Sequence, residues 1–200
     1  LPVKLILASA SPRRRELLAQ AGYSFTVAAA DIDESLRNGE APDAYVVRLA
    51  LEKARAIFAR HSSDAIVDSP LVVLGADTCV VCDGEILGKP SDASDAKRML
   101  ALLSGRTHLV HTGIAVLTHR EAATAVETTA VVFVEIPEAE LELYCNTTEP
   151  LDKAGAYGIQ GYAARWIPRI EGCYFNVMGL PIARTVKLIQ AAIVDGTGSS

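Results

Sequence analysis

The chain has 200 residues, 50% of them hydrophobic, and carries 19 Lys and Arg against 24 Asp and Glu for a net charge of −5. That length suits one large domain or two intimate lobes with a substantial core, and the acidic balance argues against polymeric nucleic acid or an anionic membrane as a partner. No apolar run approaches the roughly 20 residues of a membrane span, the start does not read as a secretory signal, and four cysteines do not make a disulfide scaffold, so the reducing cytoplasm is the expected compartment.

Lys4 to Ala8 is a short apolar strand. Ser11 suits an N-cap and Pro12 the first helical position, so a helix is expected from Pro12 to Ala21, closed by Gly22. Arg13 and Arg14 fall in its first turn. Unpaired backbone N–H groups there already favour an anion, and guanidinium forks add selectivity for phosphate. Without an anion these cations oppose the positive helix end; the competing reading is a solvated charge run. Arg15 is expected to face solvent. Ser9 and Ser11 can add hydroxyl donors, although Ser11 serves equally as a plain cap.

A second strand is expected over Phe25 to Ala29, followed by an acidic loop. Asp31, Asp33 and Glu34 there are either metal ligands or solvated charges, with Glu34 the favoured ligand. Asp43 is positioned to cap a long helix reaching Arg60, with an apolar stripe of Val46, Val47, Ala50, Leu51 and Ala54. Lys53 lies inside this helix and reads as a surface lysine or a functional one. Residues 61–70 form a polar connection. Leu71 to Gly75 is an unbroken apolar strand, suited to burial on both faces. Asp77 then sits where that strand should open into solvent. An acid beside a cationic pocket can hold a divalent ion, orient water or take its proton; alternatively, it caps a turn.

Strands at 78–81 and 85–87 flank Asp83-Gly84, a hairpin signal that can fold Lys89 back beside Asp77. Cys79 and Cys82, three apart on a strand, point to opposite faces and read as buried free thiols rather than a metal pair. A helix at 92–103, strands at 109–117 and 124–135 and a short helix from Pro137 including Leu141 and Tyr144 follow. The glycine-rich loop 155–161 has neither dinucleotide-fingerprint nor P-loop spacing. Its Gln160 offers one carbonyl and one amide, a match for a base edge with both donor and acceptor, as in uracil and thymine. Residues 166–170 should be extended and Pro181 should open a final helix to Val194. A single domain over residues 1–195 with a flexible tail at 196–200 is expected.

Several ordered motifs together resemble the Maf family: residues 9–14 (Ser-Ala-Ser-Pro-Arg-Arg), Glu52-Lys53, Gly75-Ala76-Asp77-Thr78, Lys89-Pro90, the stretch from Asp152 to Gly161, and Asn176 to Pro181. The resemblance spans nearly the whole chain. It implies an α/β fold with a mixed twisted sheet in two lobes around a deep cleft, similar to the inosine triphosphate pyrophosphatases. It also implies a nucleoside triphosphate pyrophosphatase, historically called a septum-formation inhibitor, that cuts between the α- and β-phosphates. A divalent cofactor, Mg2+ or Mn2+, and a homodimer are part of that expectation. By position, Asp77 matches the family's proton acceptor; Arg14, Thr78 and Gln160 match its base-specificity determinants; Ser9, Arg13, Lys53 and Lys89 match other cleft residues. The form of residues 156–161 is similar to the dTTP- and UTP-hydrolysing branch. Metal-assisted hydrolysis with catalytic Asp77, Lys53 and Lys89, and with Asp77 and Glu34 toward the metal, is the expected chemistry. The alternatives are a 7-methyl-GTP or purine nucleotide pyrophosphatase, or a non-hydrolytic nucleotide-binding regulator of cell division.

Overall fold

The computed structural model describes residues 3–62 and 70–197, so residues 63–69 of the polar connection expected over 61–70 and the end of the expected tail at 198–200 lie outside the described residues. In chain order the elements are β1 (Lys4–Ala8), α1 (Pro12–Gln20), β2 (Thr26–Val27), α2 (Pro42–His61), β3 (Leu71–Cys82), β4 (Glu85–Leu87), α3 (Ala93–Leu103), β5 (Thr107–Leu117), β6 (Ala122–Val132), α4 (Glu138–Cys145), β7 (Arg169–Glu171), α5 (Tyr174–Val177) and α6 (Ile182–Thr197). Strand order is β2-β1-β3-β5-β6-β7, with β4 beside β3. β1 runs parallel to β2 and β3, whereas β4 is antiparallel to β3 and β7 to β6. The sheet is therefore mixed and the fold α/β. Among the described residues no helix is long and apolar enough to cross a membrane.

The chain divides into two compact units: residues 1–77, 112–127 and 179–200, and residues 78–111 with 128–178. The first is built on β1 and the start of β3, whose apolar runs leave Ile6, Ala8, Leu71 and Val73 buried against Ala50, Ala54 and Ile57 of α2. α2 approaches the strands very closely at two glycines. A Cβ added to Gly75 would lie 2.0 Å from the Ala50 carbonyl oxygen, and one on Gly113 would lie 2.4 Å from the Val46 carbonyl group. Glycine is required there because the opposing atoms are helix backbone and cannot rotate away.

The second unit packs Met99, Leu100 and Leu103 of α3 with Leu141, Tyr144 and Cys145 of α4 against Val80, Cys82, Val110, Val131 and Phe133. Tyr157 and Trp166 complete an aromatic cluster, with Phe133 edge-on to Tyr157 at 4.9 Å and to Trp166 at 6.3 Å. His108 stands inside it, 1% exposed. Its Nε2 is hydrogen-bonded to the Tyr157 hydroxyl at 2.7 Å, with the donor set by the ring tautomer, while Nδ1 has no hydrogen-bond partner among the described residues. Burial pushes the His108 pKa down from 6.5 to about 4. The unfolded chain therefore takes up this proton more readily, so His108 contributes stability that is fully present above about pH 6.5 and is lost as pH falls toward 4. The full contribution is about 3 kcal/mol. Chemical denaturation of a His108→Phe protein should show a flatter acid limb between these pH values than the parent; an unchanged slope there contradicts the assignment.

Most expected elements form, with informative differences. β3 does not stop near Gly75 but continues through Asp77 to Cys82, so Asp77 is not at a strand mouth. It is buried, 8% exposed, within the strand, because a cation from α2 satisfies it. Asp43 does not cap α2; the N-cap is Ala41, with Pro42 at the first helical position. β2 is only two residues long. Of residues 166–170, expected to be extended, Trp166 instead ends a 3-10 turn over 162–166 that seats its ring in the core, while Arg169 and Ile170 enter β7. The Asp83-Gly84 hairpin forms, both residues having positive φ, 49° and 83°, as a tight two-residue turn demands. Cys79, Cys82 and Cys145 are buried and Cys173 is partly exposed, all four free thiols. Of the residues assigned to the tail, Gly196 and Thr197 belong to α6.

Candidate active site

The first unit gathers an acid–base cluster from four segments. On β3, Asp77 directs Oδ1 to the Lys53 ammonium at 2.6 Å. The same Nζ lies 2.6 Å from Oε1 of Glu34, which sits in the acidic loop. Lys53 is 9% exposed. Its position explains this: Val46, Leu49, Ala50, Lys53, Ala54 and Ile57 make up the buried face of α2, so the lysine stem packs with the core while its charged end reaches the two carboxylates. Lysine is almost never this buried without a partner, and here it has two.

Arg14 adds a second buried cation, also 9% exposed. Pro12 and the Ser11 cap place it in the first turn of α1, where the Arg14 N–H reaches the Ser11 hydroxyl at 3.5 Å. The guanidinium is fixed by the backbone: Nε donates to the Gly179 carbonyl at 2.7 Å and Nη1 to the Ala76 carbonyl at 2.8 Å. Nη1 also donates to Ser9 Oγ at 3.3 Å, and that hydroxyl accepts from the Ser11 N–H at 3.2 Å. Burial lowers the Arg14 pKa, while the charges of Asp77 and Glu34 raise it and that of Arg13 lowers it. Arg14 is therefore near enough to feel the charges of Asp77, Arg13 and Glu34. Arg13 is partly exposed beside it on α1, and Arg15 faces solvent. Three cations stand with two carboxylates, a balance that favours an arriving anion.

The acidic loop is held from α2. The Tyr45 hydroxyl donates to the Glu34 carbonyl at 2.9 Å and Arg48 Nη2 to the Ser35 carbonyl at 3.0 Å. Arg48 is in turn gripped by Glu40, Nε to Oε1 at 2.6 Å and Nη2 to Oε2 at 2.7 Å, a bidentate pair that holds the Glu40 carboxyl down at about 2. Asp33 accepts from the Ser35 N–H at 2.9 Å and so shapes the turn, and Glu34 is a loop acid turned to Lys53.

A divalent cation fits this donor set. Among the described residues there is no group of three or more His, Cys, Asp or Glu that could hold a metal, so a metal here would have the pair Glu34 and Asp77 as its carboxylates. Two carboxylate oxygens already converge on one cationic nitrogen, and hard ions such as Mg2+ typically take one or two carboxylates and complete their shell with water and substrate phosphates.

Thr78, Lys89 and Gln160 lie in the second unit. Thr78 follows Asp77 on β3 and is partly buried; Lys89 and Gln160 are exposed. Within that unit the Gly155 N–H donates to the Gly88 carbonyl at 3.0 Å, which ties the segment bearing Lys89 to the glycine-rich loop bearing Gln160.

The sequence reads Lys53 as either a surface or a functional lysine, although its spacing from Val46, Ala50 and Ile57 marks the inward face of a helix. It does not mark Tyr45, Arg48 and Gly179 as supports; only the polar side chains at helical spacing, Tyr45 and Arg48, leave any trace in the pattern.

Residues 4–192 match the family described as Maf-like protein. The chain is 50% identical over 186 residues to a protein of Symbiobacterium thermophilum, covering 93% of this chain and 92% of the relative. It is 52% identical over 188 residues to one of Myxococcus xanthus, covering 94% and 92%. It is 51% identical over 197 residues to one of Moorella thermoacetica, covering 98% of each. All three relatives are named dTTP/UTP pyrophosphatase. With the family match running through β1, α1, α2 and β3, the elements that carry Ser9, Arg13, Arg14, Lys53 and Asp77, this chain belongs to the Maf family.

Proposed function

We propose that this chain is a dTTP/UTP pyrophosphatase: it adds water across the α–β anhydride of a pyrimidine nucleoside triphosphate and releases the nucleoside monophosphate and pyrophosphate. The observation that carries this reading is the Lys53 ammonium held at 2.6 Å from both Asp77 and Glu34, beside a buried Arg14. The relatives' activity agrees with it.

Arg14, Arg13 and Ser9 are assigned to the phosphate oxygens. A guanidinium fixed through two carbonyls is pre-oriented, so little ordering is left for the moment of reaction. Lys53 holds the Asp77 carboxylate in place, and Asp77 orients the attacking water and accepts its proton. Lys89 is assigned to the charge that develops on the departing pyrophosphate. Glu34 and Asp77 are assigned to Mg2+ or Mn2+, which supplies charge neutralisation and water activation when bound. Thr78 and Gln160 are assigned to the base. A homodimer in the reducing cytoplasm completes the proposal; four free thiols fit that compartment.

The test is quantification of pyrophosphate and monophosphate from purified protein with Mg2+ or Mn2+ over dTTP, UTP, CTP, GTP and 7-methyl-GTP. dTTP and UTP should lead the series, and a Gln160→Ala protein should lose much of its preference for UTP over CTP. Leading turnover of a purine nucleotide overturns the substrate assignment, and nucleotide binding without pyrophosphate release leaves the regulator reading instead.

A further inference from the structure

The turn that carries Gln160 is closed by the Gly161 N–H donating to the Gly158 carbonyl at 3.0 Å, with Ile159 and Gln160 at its centre. Both ends are seated on side chains from one short segment. At the far end, a Cβ on Gly161 would fall 1.8 Å from Oε1 of Glu149 and 2.7 Å from its Cδ, so the carboxylate is seated against that backbone. At the near end, a Cβ on Gly158 would fall 2.8 Å from Cε of Lys153. The ammonium of Lys153 is drawn back by the Glu149 carbonyl at 2.5 Å and Asp152 Oδ1 at 2.6 Å.

Tyr144 links the two ends. Its hydroxyl donates to Glu149 Oε1 at 3.2 Å, and the Gly158 backbone lies near enough to act on it electrostatically. The ring is 2% exposed, stacked on Tyr162 at 5.7 Å and edge-on to Trp166 at 5.3 Å. The anchor therefore rests on the aromatic core of the second unit. The mechanism gives Glu149 and Tyr144 no task.

We propose that Glu149, acting with Tyr144, is a positioning residue for base selection: it holds the 158–161 turn so that Gln160 presents one fixed donor–acceptor pattern. This rests on the proposed reading of the base by Gln160. A uracil edge offers an O4 acceptor and an N3–H donor; cytosine offers the reverse, an N4 amino donor and an N3 acceptor. A primary amide can satisfy either edge by exchanging its oxygen and nitrogen, so the residue type alone does not discriminate. Discrimination arises only when the backbone beneath the amide cannot shift to suit both, and a seated turn provides that constraint. Preorganisation of this kind affects recognition more than the reaction step.

The test compares kcat/KM for UTP and CTP in Glu149→Ala, Glu149→Gln, Tyr144→Phe and Gln160→Ala proteins, each with its melting temperature. Glu149→Ala should reduce the UTP/CTP ratio about tenfold, equivalent to about 1.4 kcal/mol, mainly through a higher KM for UTP at little-changed kcat. Glu149→Gln keeps an oxygen for the Tyr144 hydroxyl and should restore most of the ratio. Tyr144→Phe keeps the ring and should lower the ratio in the same direction; it decides the matter if Glu149→Ala does not fold. In the Glu149→Ala/Gln160→Ala double variant the ratio should match that of Gln160→Ala alone. If Glu149→Ala and Tyr144→Phe fold but preserve the parent ratio while Gln160→Ala collapses it, the positioning role is wrong and base reading by Gln160 stands. If Gln160→Ala itself preserves the ratio, the reading beneath the proposal fails and the proposal with it.

Discussion

An Asp77→Asn protein is expected to keep its fold and to release pyrophosphate about 10²–10⁴-fold more slowly than the parent, the usual loss when a positioned general base is removed. The replacement is nearly isosteric, and its amide oxygen can still accept from the Lys53 ammonium that now lies 2.6 Å from Asp77 Oδ1. What disappears is the negative charge and the capacity to take a proton. Removing one partner of a buried ion pair outright costs about 3–5 kcal/mol because the other charge is stranded. Here Lys53 is not stranded, since Glu34 remains 2.6 Å from the same nitrogen. The stability cost should therefore be much smaller than the loss of rate. Pyrophosphate release at saturating UTP, nucleotide affinity and a thermal melt separate the two effects. Full turnover in a folded, nucleotide-binding Asp77→Asn protein removes Asp77 from the proton-accepting role.

The elements that place this cluster were legible wherever the signal is local. The Ser11 cap and Pro12 mark the start of α1, and with it the place of Arg14, because capping depends only on neighbouring residues. Asp83-Gly84 likewise announces its turn through φ alone. For Asp77 the residue type is legible and the setting is not. A carboxylate after an apolar run reads as the end of a strand unless its cation is known, and Lys53 is 24 residues away in sequence. Such a contact leaves no local mark. Arg14 shows the same limit: its buried guanidinium depends on carbonyls at Ala76 and Gly179, and backbone acceptors look alike in every sequence. Gly158 and Gly161 read only as permissive glycines, whereas the structure seats the Lys153 and Glu149 side chains in the space their Cβ atoms would take. Gly113 carries no mark in the sequence and Gly75 only its place in a motif, yet both fix the seat of α2.

That seat yields the second large effect. A Gly75→Ala protein must accommodate a methyl 2.0 Å from the Ala50 carbonyl oxygen and 3.1 Å from the Ala54 Cβ. The first obstacle is backbone, so α2 must move away from β3. Overpacking of this kind costs about 1–3 kcal/mol, sometimes more, and each kcal/mol lowers Tm by about 2–4 °C in a chain of this size. Activity should fall further than stability explains. Lys53 travels with α2 while Asp77 stays on β3 two residues beyond Gly75, so the 2.6 Å contact between them must lengthen or re-form elsewhere, and a displacement near 1 Å can cost about 10²-fold in rate. Measured well below its Tm, Gly75→Ala should therefore show a much reduced kcat with pyrimidine nucleotide. Gly113→Ala meets the Val46 carbonyl group at 2.4 Å and the Val47 nitrogen at 2.5 Å, pushing the same helix from a second strand. Once one methyl has lifted α2, the other finds part of its space already made, so the two losses should be less than additive. Strictly additive changes in unfolding free energy in the double variant would mean that the glycines act on separate parts of the molecule, and that α2 does not respond as one body carrying Lys53.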